Sequence, residues 1–191
     1  MITYVHKEIA GGVLSLWKAA PALEIFEKIS RGTDTSDLVT VCYLRRRRIS
    51  ARGVACVRNW MTPDSFSPSR GHWAFIRGNP LPPSLPGRFK LIRLQLFNKP
   101  DIYPRKEFDI YGWEFTYPSL DAHLALLFAH ELHHFRRYHL GFHPGEGEQS
   151  ANRWALKHAA QRGFPVPARK HRIKRMKKRP SSNSPASLTF L

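Results

Sequence analysis

The chain has 191 residues, a hydrophobic content of 42% that includes 12 Phe, 5 Trp and 6 Tyr, and a formal net charge of +17. This length predicts one domain, or one domain with a tail, and there are enough apolar residues for a core. Two cysteines are too few for a disulfide scaffold or a Cys-based zinc ribbon, and no apolar run reaches the roughly 18 residues of a membrane helix. The N-terminus lacks the pattern of a secretory signal, so we expect a cytoplasmic protein with no membrane partner.

The first half of the chain predicts one helix followed by strands. Residues 19–31 have the spacing of a short amphipathic helix that ends near Gly32. Residues 59–71 and 78–88 are rich in Pro, Ser, Gly and Asn and predict loops. Segments rich in β-branched, apolar or aromatic residues predict extended structure at 38–44, 53–57, 72–77, 89–97 and 107–117.

Two further helices are predicted in the second half. Ser119 is a suitable cap and Asp121 suits the positive end of the helix dipole, so the first of the two begins at Ser119 and stops at Gly141. The second fits residues 146–162 and ends at Gly163. The order of one helix, several strands and two helices predicts an α+β fold.

The C-terminal segment is strongly basic. No acidic residue follows Glu148, whereas 11 Lys or Arg do, and eight of these lie in the run 169–179. The basic run and the Ser/Pro-rich residues after it predict a disordered tail over 166–191, which follows one domain over 1–165. Dense positive charge favours a polyanion, so the run predicts a nucleic-acid partner, with an inert solvated tail as the alternative.

The first of the two C-terminal helices contains the pattern H-E-x-x-H, as His130-Glu131-Leu132-His133-His134. His130 and His134 are four residues apart, about 40° around the helix axis, so both imidazoles can reach one metal ion. Glu131 lies about 100° from His130, where it can reach a water on that ion more easily than the ion itself. We expect zinc as the cofactor and Glu131 as the general base, which takes a proton from the polarised water and delivers it to the leaving amine.

A zinc site of this kind needs a third protein ligand and keeps one position for water. Glu148 fits best, because it opens the second helix on a stripe of small residues that allows close packing against the first helix. That stripe also contains Ala151, Asn152, Ala155 and Ala159. His143 and Glu146 stay open as alternatives. His139 is excluded, because about 140° separates it from His134 on a continuing helix.

The second helix also carries a resemblance to a known family. The phrase Glu148-Gln-Ser-Ala-Asn152-Arg-Trp-Ala155 after H-E-x-x-H resembles the ImmA/IrrE group of small intracellular metallopeptidases, which have the gluzincin arrangement. The likeness covers residues 119–160. It implies that Glu148 is the third zinc ligand and that Asn152 orients a ligand histidine. It also implies a minimal zincin-like fold, in which a small mixed sheet packs on the active-site helix and on the helix of the third ligand.

The preferred function is therefore a zinc-dependent metallopeptidase that hydrolyses peptide bonds of an intracellular protein. One alternative is a protease similar to the SprT-like group, which acts on DNA-associated proteins and would use His143 as the third ligand. Another is a non-catalytic, basic nucleic-acid-binding regulatory protein with a structural zinc site. The presence of Glu131 argues against this last alternative, because a structural zinc site needs no base.

Overall fold

Five strands form the larger of two sheets: β1 (Ile2–Ile9), β2 (Gly12–Leu16), β3 (Leu38–Arg45), β4 (Arg52–Met61) and β5 (Phe89–Phe97). Their order is β2-β1-β3-β5-β4, with β1, β3 and β5 parallel and the two outer strands antiparallel to their neighbours. The computed structural model describes residues 1–10, 12–16, 21–46, 51–63, 85–142 and 147–172.

The central strands of this sheet are buried on both faces. Side chains of successive residues point to opposite faces of a strand, so a doubly covered strand is apolar throughout. One face packs against the helices through Val5, Leu38, Cys42, Ile92, Leu94 and Leu96. The opposite face forms a second cluster with Tyr4, Val39, Val41, Tyr43, Phe89 and Leu91.

Three helices, α1 (Pro21–Ser30), α2 (Leu120–His139) and α3 (Glu148–Gln161), complete the core. The Ser119 side chain caps α2 by accepting a hydrogen bond from the Ala122 N–H, and Gly141 ends it with a φ of 69°. α2 contacts α1, α3, β4 and β5, so it is the central helix of the fold. Among the described residues, no helix is long and apolar enough to cross a membrane.

The α2–α3 contact is built on small side chains. Ala151, Ala155 and Ala159 recur every four residues on α3 and are at most 1% exposed. An alanine stripe lets two helices approach more closely than larger side chains would. The predicted packing of the His130/His134 helix against the Glu148 helix is therefore confirmed. The two sheets and three helices also confirm the α+β class.

A second, three-stranded sheet lies next to the start of α2. It contains β6 (Arg105–Phe108), β7 (Trp113–Tyr117) and β8 (Ala168–Lys170), with β7 in the middle. The Asp109 carboxylate accepts the backbone N–H of Tyr111 and of Trp113, and Gly112 adopts a φ of 83°. These features make a tight turn between β6 and β7.

Several boundaries differ from those predicted. Segment 107–117 is a hairpin and not one extended strand, because the Asp109 turn interrupts it. The predicted loop that begins at residue 59 starts later, since β4 continues to Met61. β1 and β2 were not predicted as strands. The predicted strand 72–77 lies outside the described residues.

The predicted boundary between the domain and its tail lies before β8. The Pro167 carbonyl accepts a hydrogen bond from the Thr116 N–H, and β8 then pairs with β7. Residues 166–172 therefore continue the described fold because backbone hydrogen bonds join them to the hairpin.

Enlarging the alanine stripe should separate α2 from α3. We expect Ala155→Leu to lower the free energy of unfolding by about 1–3 kcal/mol, because the buried contact has no room for a larger side chain. The matched control is Ala160→Leu on the exposed side of the same helix. Chemical denaturation measures both, and equal stability of the two variants would contradict close packing at Ala155.

Candidate metal centre

Three potential ligands converge where α2 meets α3. His130 and His134 lie one turn apart on α2, and Glu148 is the first residue of α3. The His130 Nε2 atom is 3.1 Å from the His134 Nε2 atom and 3.0 Å from the Glu148 Oε2 atom. The His134 Nε2 atom is 3.3 Å from the Glu148 Oε1 atom. The structure thus brings together the three residues predicted as metal ligands.

These separations fit one small metal ion. Ligand atoms about 2.0–2.1 Å from a tetrahedral zinc ion are separated from each other by about 3.3 Å. The nitrogen and oxygen atoms facing each other here are all lone-pair acceptors when the carboxylate is charged and each neutral imidazole carries its hydrogen on Nδ1. Acceptors at such short range need a cation or a proton between them, so the donor set suits a metal.

The pKa values of the three groups also favour a cation at this site. Hydrogen bonding to His130 lowers the pKa of Glu148 to about 2. Burial disfavours the charged form of His130, but hydrogen bonding to Glu148 and the charge of Glu131 raise its pKa overall. Burial and the neighbouring His130 lower the pKa of His134. A carboxylate that stays anionic beside two imidazoles attracts a cation, and a metal ion can take the place of a proton there.

Asn152 contacts the Nδ1 atom of His130, whereas the Nε2 atom of the same ring lies near His134 and Glu148. The Nδ1 atom of His130 donates a hydrogen bond to the Asn152 Oδ1 atom at 2.8 Å. The Asn152 amide nitrogen in turn donates to the Asp109 carboxylate at 2.7 Å. Asn152 is 8% exposed and lies one turn after Glu148 on α3. A ligand histidine that donates its second N–H to an oxygen is held in one orientation and one tautomer.

Glu131 lies on the side of α2 that faces β4. Its side chain is 6% exposed, and its Oε2 atom accepts the Ala55 N–H at 2.8 Å. A Cβ atom at Gly53 would overlap the other carboxylate oxygen, so glycine leaves the space that Glu131 fills. Burial raises the pKa of Glu131 to about 7. A nearby metal cation would favour its charged form.

The site opens into a cleft of about 480 Å³. Its polar side contains His130, Glu131, Glu148, Asn152 and Asp109. Its apolar side is formed mainly by Tyr111, Phe115, Tyr117, Leu126 and Leu127. A cleft with a few convergent polar groups and an apolar wall is typical of a ligand-binding site.

The other histidines of α2 lie outside the ligand group. His133 is buried between the His134 and Trp154 rings, with centroids 5.9 Å and 5.6 Å away. The His139 ring packs on Phe135. The alternative ligands at positions 143 and 146 lie outside the described residues.

His123 is buried among aromatic side chains. Its ring stacks on Tyr117 at 3.7 Å, and its Nδ1 atom is 2.9 Å from the Tyr103 hydroxyl. Burial, with a smaller contribution from Arg105, lowers the pKa of His123 to about 3, so the ring is neutral at physiological pH.

Sequence reasoning missed Gly53, Ala55 and Asp109. Ala55 contributes only its backbone N–H, which carries no sequence signal. Gly53 inside a strand pattern is a signal of close approach by another group, although it does not identify that group. The spacing Asp109-x-x-Gly112 predicts a turn, but its contact with Asn152 spans 43 residues.

Comparison with known proteins adds no name to the site. No protein-family model, curated protein or solved structure matches this chain. The geometry therefore carries the functional conclusion by itself.

Metal binding should stabilise the fold through the three ligands. We expect zinc at about 100 times its Kd to raise the Tm of the chelator-stripped protein by about 5–10 °C, because it binds the folded state selectively. Glu148→Gln and His134→Ala should remove most of this rise. The control is Gln149→Ala, on the exposed neighbour of Glu148. A rise of equal size in all variants would place the metal elsewhere.

Proposed function

We propose that this chain is a zinc-dependent metallopeptidase that hydrolyses peptide bonds of a protein substrate. The supporting observation is a two-histidine, one-carboxylate group at the wall of an open cleft, with a separate buried glutamate beside it. The Glu148 side chain is 43% exposed and that of His130 is 17% exposed. A structural zinc site has four protein ligands and is closed, whereas a catalytic site needs access for water and substrate.

The candidate metal ligands and Glu131 have separate roles in the proposed reaction. Zinc on His130, His134 and Glu148 would polarise a water molecule and the scissile carbonyl. Glu131 accepts the proton of the attacking water and then delivers it to the departing amine nitrogen, so the base is restored after each cycle. The Ala55 N–H holds the Oε2 atom of the Glu131 carboxylate, and the proton would be carried by the other oxygen.

The cleft also supports a proposal for the substrate. In the described part of the chain, β4 is an edge strand, and Ala51 and Gly53 of this region line the cleft. An extended peptide can pair with such an edge through its backbone. The apolar wall around Phe115 and Leu126 would then accept a large apolar side chain next to the scissile bond.

The family proposal remains a minimal gluzincin similar to the ImmA/IrrE group, with a cytoplasmic location. Its support is the third ligand at the start of the next helix and the contact of Asn152 with His130, both of which that resemblance implies.

Removing the base should separate metal binding from catalysis. We expect Glu131→Gln to keep zinc but to lower the rate of peptide cleavage by about 100-fold to 10,000-fold, because an amide cannot accept the proton. Gly53→Ala should lower the rate in the same direction, because its methyl group displaces the Glu131 carboxylate.

The matched control for the second variant is Gly87→Ala, where an added Cβ meets nothing within 4 Å. Zinc content and cleavage of an unfolded protein substrate measure the two properties. Cleavage by Glu131→Gln at the wild-type rate would rule out Glu131 as the base.

The basic C-terminal run supports a second proposal, in which the enzyme binds nucleic acid and cleaves proteins associated with it. Arg169, Lys170 and Arg172 are exposed at the beginning of this run. Five further cations follow within seven residues of Arg172. Lysine and arginine bind nucleic acid by displacing counterions from phosphates, so affinity depends strongly on salt.

Neutralising the run tests this second proposal. We expect replacement of five cations by Gln to weaken salt-dependent binding of a DNA duplex and to reduce the slope of log Kd against log salt by about 0.9 for each phosphate that the protein no longer neutralises. The five are Lys174, Arg175, Lys177, Lys178 and Arg179. Zinc affinity should be unchanged. Binding equal to the wild type at every salt concentration would exclude the run as an anchor.

A further inference from the structure

We infer that Asp109, in the turn of the β6–β7 hairpin, is a positioning residue for the metal centre. It fixes the orientation of the Asn152 amide, and this orientation selects the tautomer of His130 that can bind a metal. The inference rests on the proposed metal site, and it adds a residue that is distant in sequence and makes no contact with the metal ligands themselves.

The Asp109 carboxylate is held in place by its own turn. Its Oδ1 atom accepts the Tyr111 N–H at 2.9 Å and the Trp113 N–H at 2.8 Å. The Asp109 N–H donates to the Trp113 carbonyl, and the Gly112 N–H donates to the Asp109 carbonyl. These bonds hold the hairpin turn and leave the Oδ2 atom directed at α3.

The Oδ2 atom decides which way the Asn152 side chain points. A charged carboxylate only accepts hydrogen bonds, so the Asn152 atom 2.7 Å from it is the amide nitrogen. The amide oxygen is then on the opposite side, 2.8 Å from the His130 Nδ1 atom. A flipped amide would place two acceptors face to face at Asp109, which is unfavourable. It would also turn the amide nitrogen toward the imidazole, where only the tautomer with a bare Nδ1 atom could accept its hydrogen.

The fixed amide oxygen in turn decides the state of the imidazole. Because Asn152 presents an acceptor, the Nδ1 atom of His130 carries the hydrogen. In the neutral ring the Nε2 atom is then the lone-pair donor to a metal. That atom is the one 3.1 Å from His134 and 3.0 Å from Glu148. The relay from Asp109 through Asn152 thus ends on the metal-facing nitrogen.

The relay needs one carboxylate and one amide. Two amides would allow either residue to flip, and two carboxylates would place like charges in contact at a partly buried position. The positions of the amide and the carboxylate can however be exchanged. Asn at 109 can accept both turn N–H groups with its oxygen and donate its nitrogen to Asp at 152, which still accepts from His130.

This exchange gives a sharp test on the full-length chain. We expect Asp109→Asn and Asn152→Asp each to weaken zinc binding by about 10-fold to 100-fold, the range typical of residues that orient a ligand histidine. The double variant Asp109→Asn/Asn152→Asp should recover most of the wild-type affinity. Competition with a chromophoric zinc chelator measures Kd, and Asp101→Asn, on an exposed carboxylate, is the matched control.

The outcomes separate the possible roles. If Asp109 only caps the turn, Asp109→Asn will bind zinc as tightly as the wild type, because asparagine caps such turns equally well. That result, or a double variant no better than the single variants, would overturn the inference while leaving the proposed function intact. A wild-type chain that binds no zinc would overturn both.

Discussion

The close contact between α2 and α3 is the constraint on which the rest of the structure depends. Ala151, Ala155 and Ala159 allow the two helices to touch, and the first residues of α3 then reach the histidines of α2. Glu148 contributes its carboxylate to the ligand group, and Asn152 holds His130 from the other side. Without this contact the histidines of α2 would have no carboxylate beside them, and His130 would have no partner that fixes its tautomer.

The periodicity of α2 places the candidate metal ligands and the proposed base on different sides of the helix. Residues four apart share a face, which directs His130 and His134 to α3, whereas Glu131 is turned by about 100° toward the sheet. There β4 supplies a backbone N–H at Ala55 and the space above Gly53. One helix thus has candidate metal ligands on one side and a buried carboxylate on the other, and His130 and Glu131 both line the same cleft.

The sequence predicted the parts of the site that follow local rules. Helical spacing identified His130 and His134 and favoured Glu148 over His143 and Glu146, and a family resemblance implied both Glu148 and Asn152. The contacts of Asp109 and Ala55 span 43 and 76 residues, and Ala55 acts through its backbone, so neither could be inferred from spacing. The β1–β2 hairpin was not predicted from the sequence for a similar reason. Polar residues such as His6 and Lys7 break the apolar pattern of β1, and the pairing of β1 is decided by distant strands.

X-ray absorption spectroscopy of the zinc-loaded protein tests the central claim most directly, because it reports the ligands of the metal itself. The three converging residues predict one zinc per chain with only nitrogen and oxygen ligands at about 2.0–2.1 Å, and with the scattering of two imidazoles. Zinc with three or more imidazoles, or with sulfur at about 2.3 Å, would contradict the assignment of His130, His134 and Glu148.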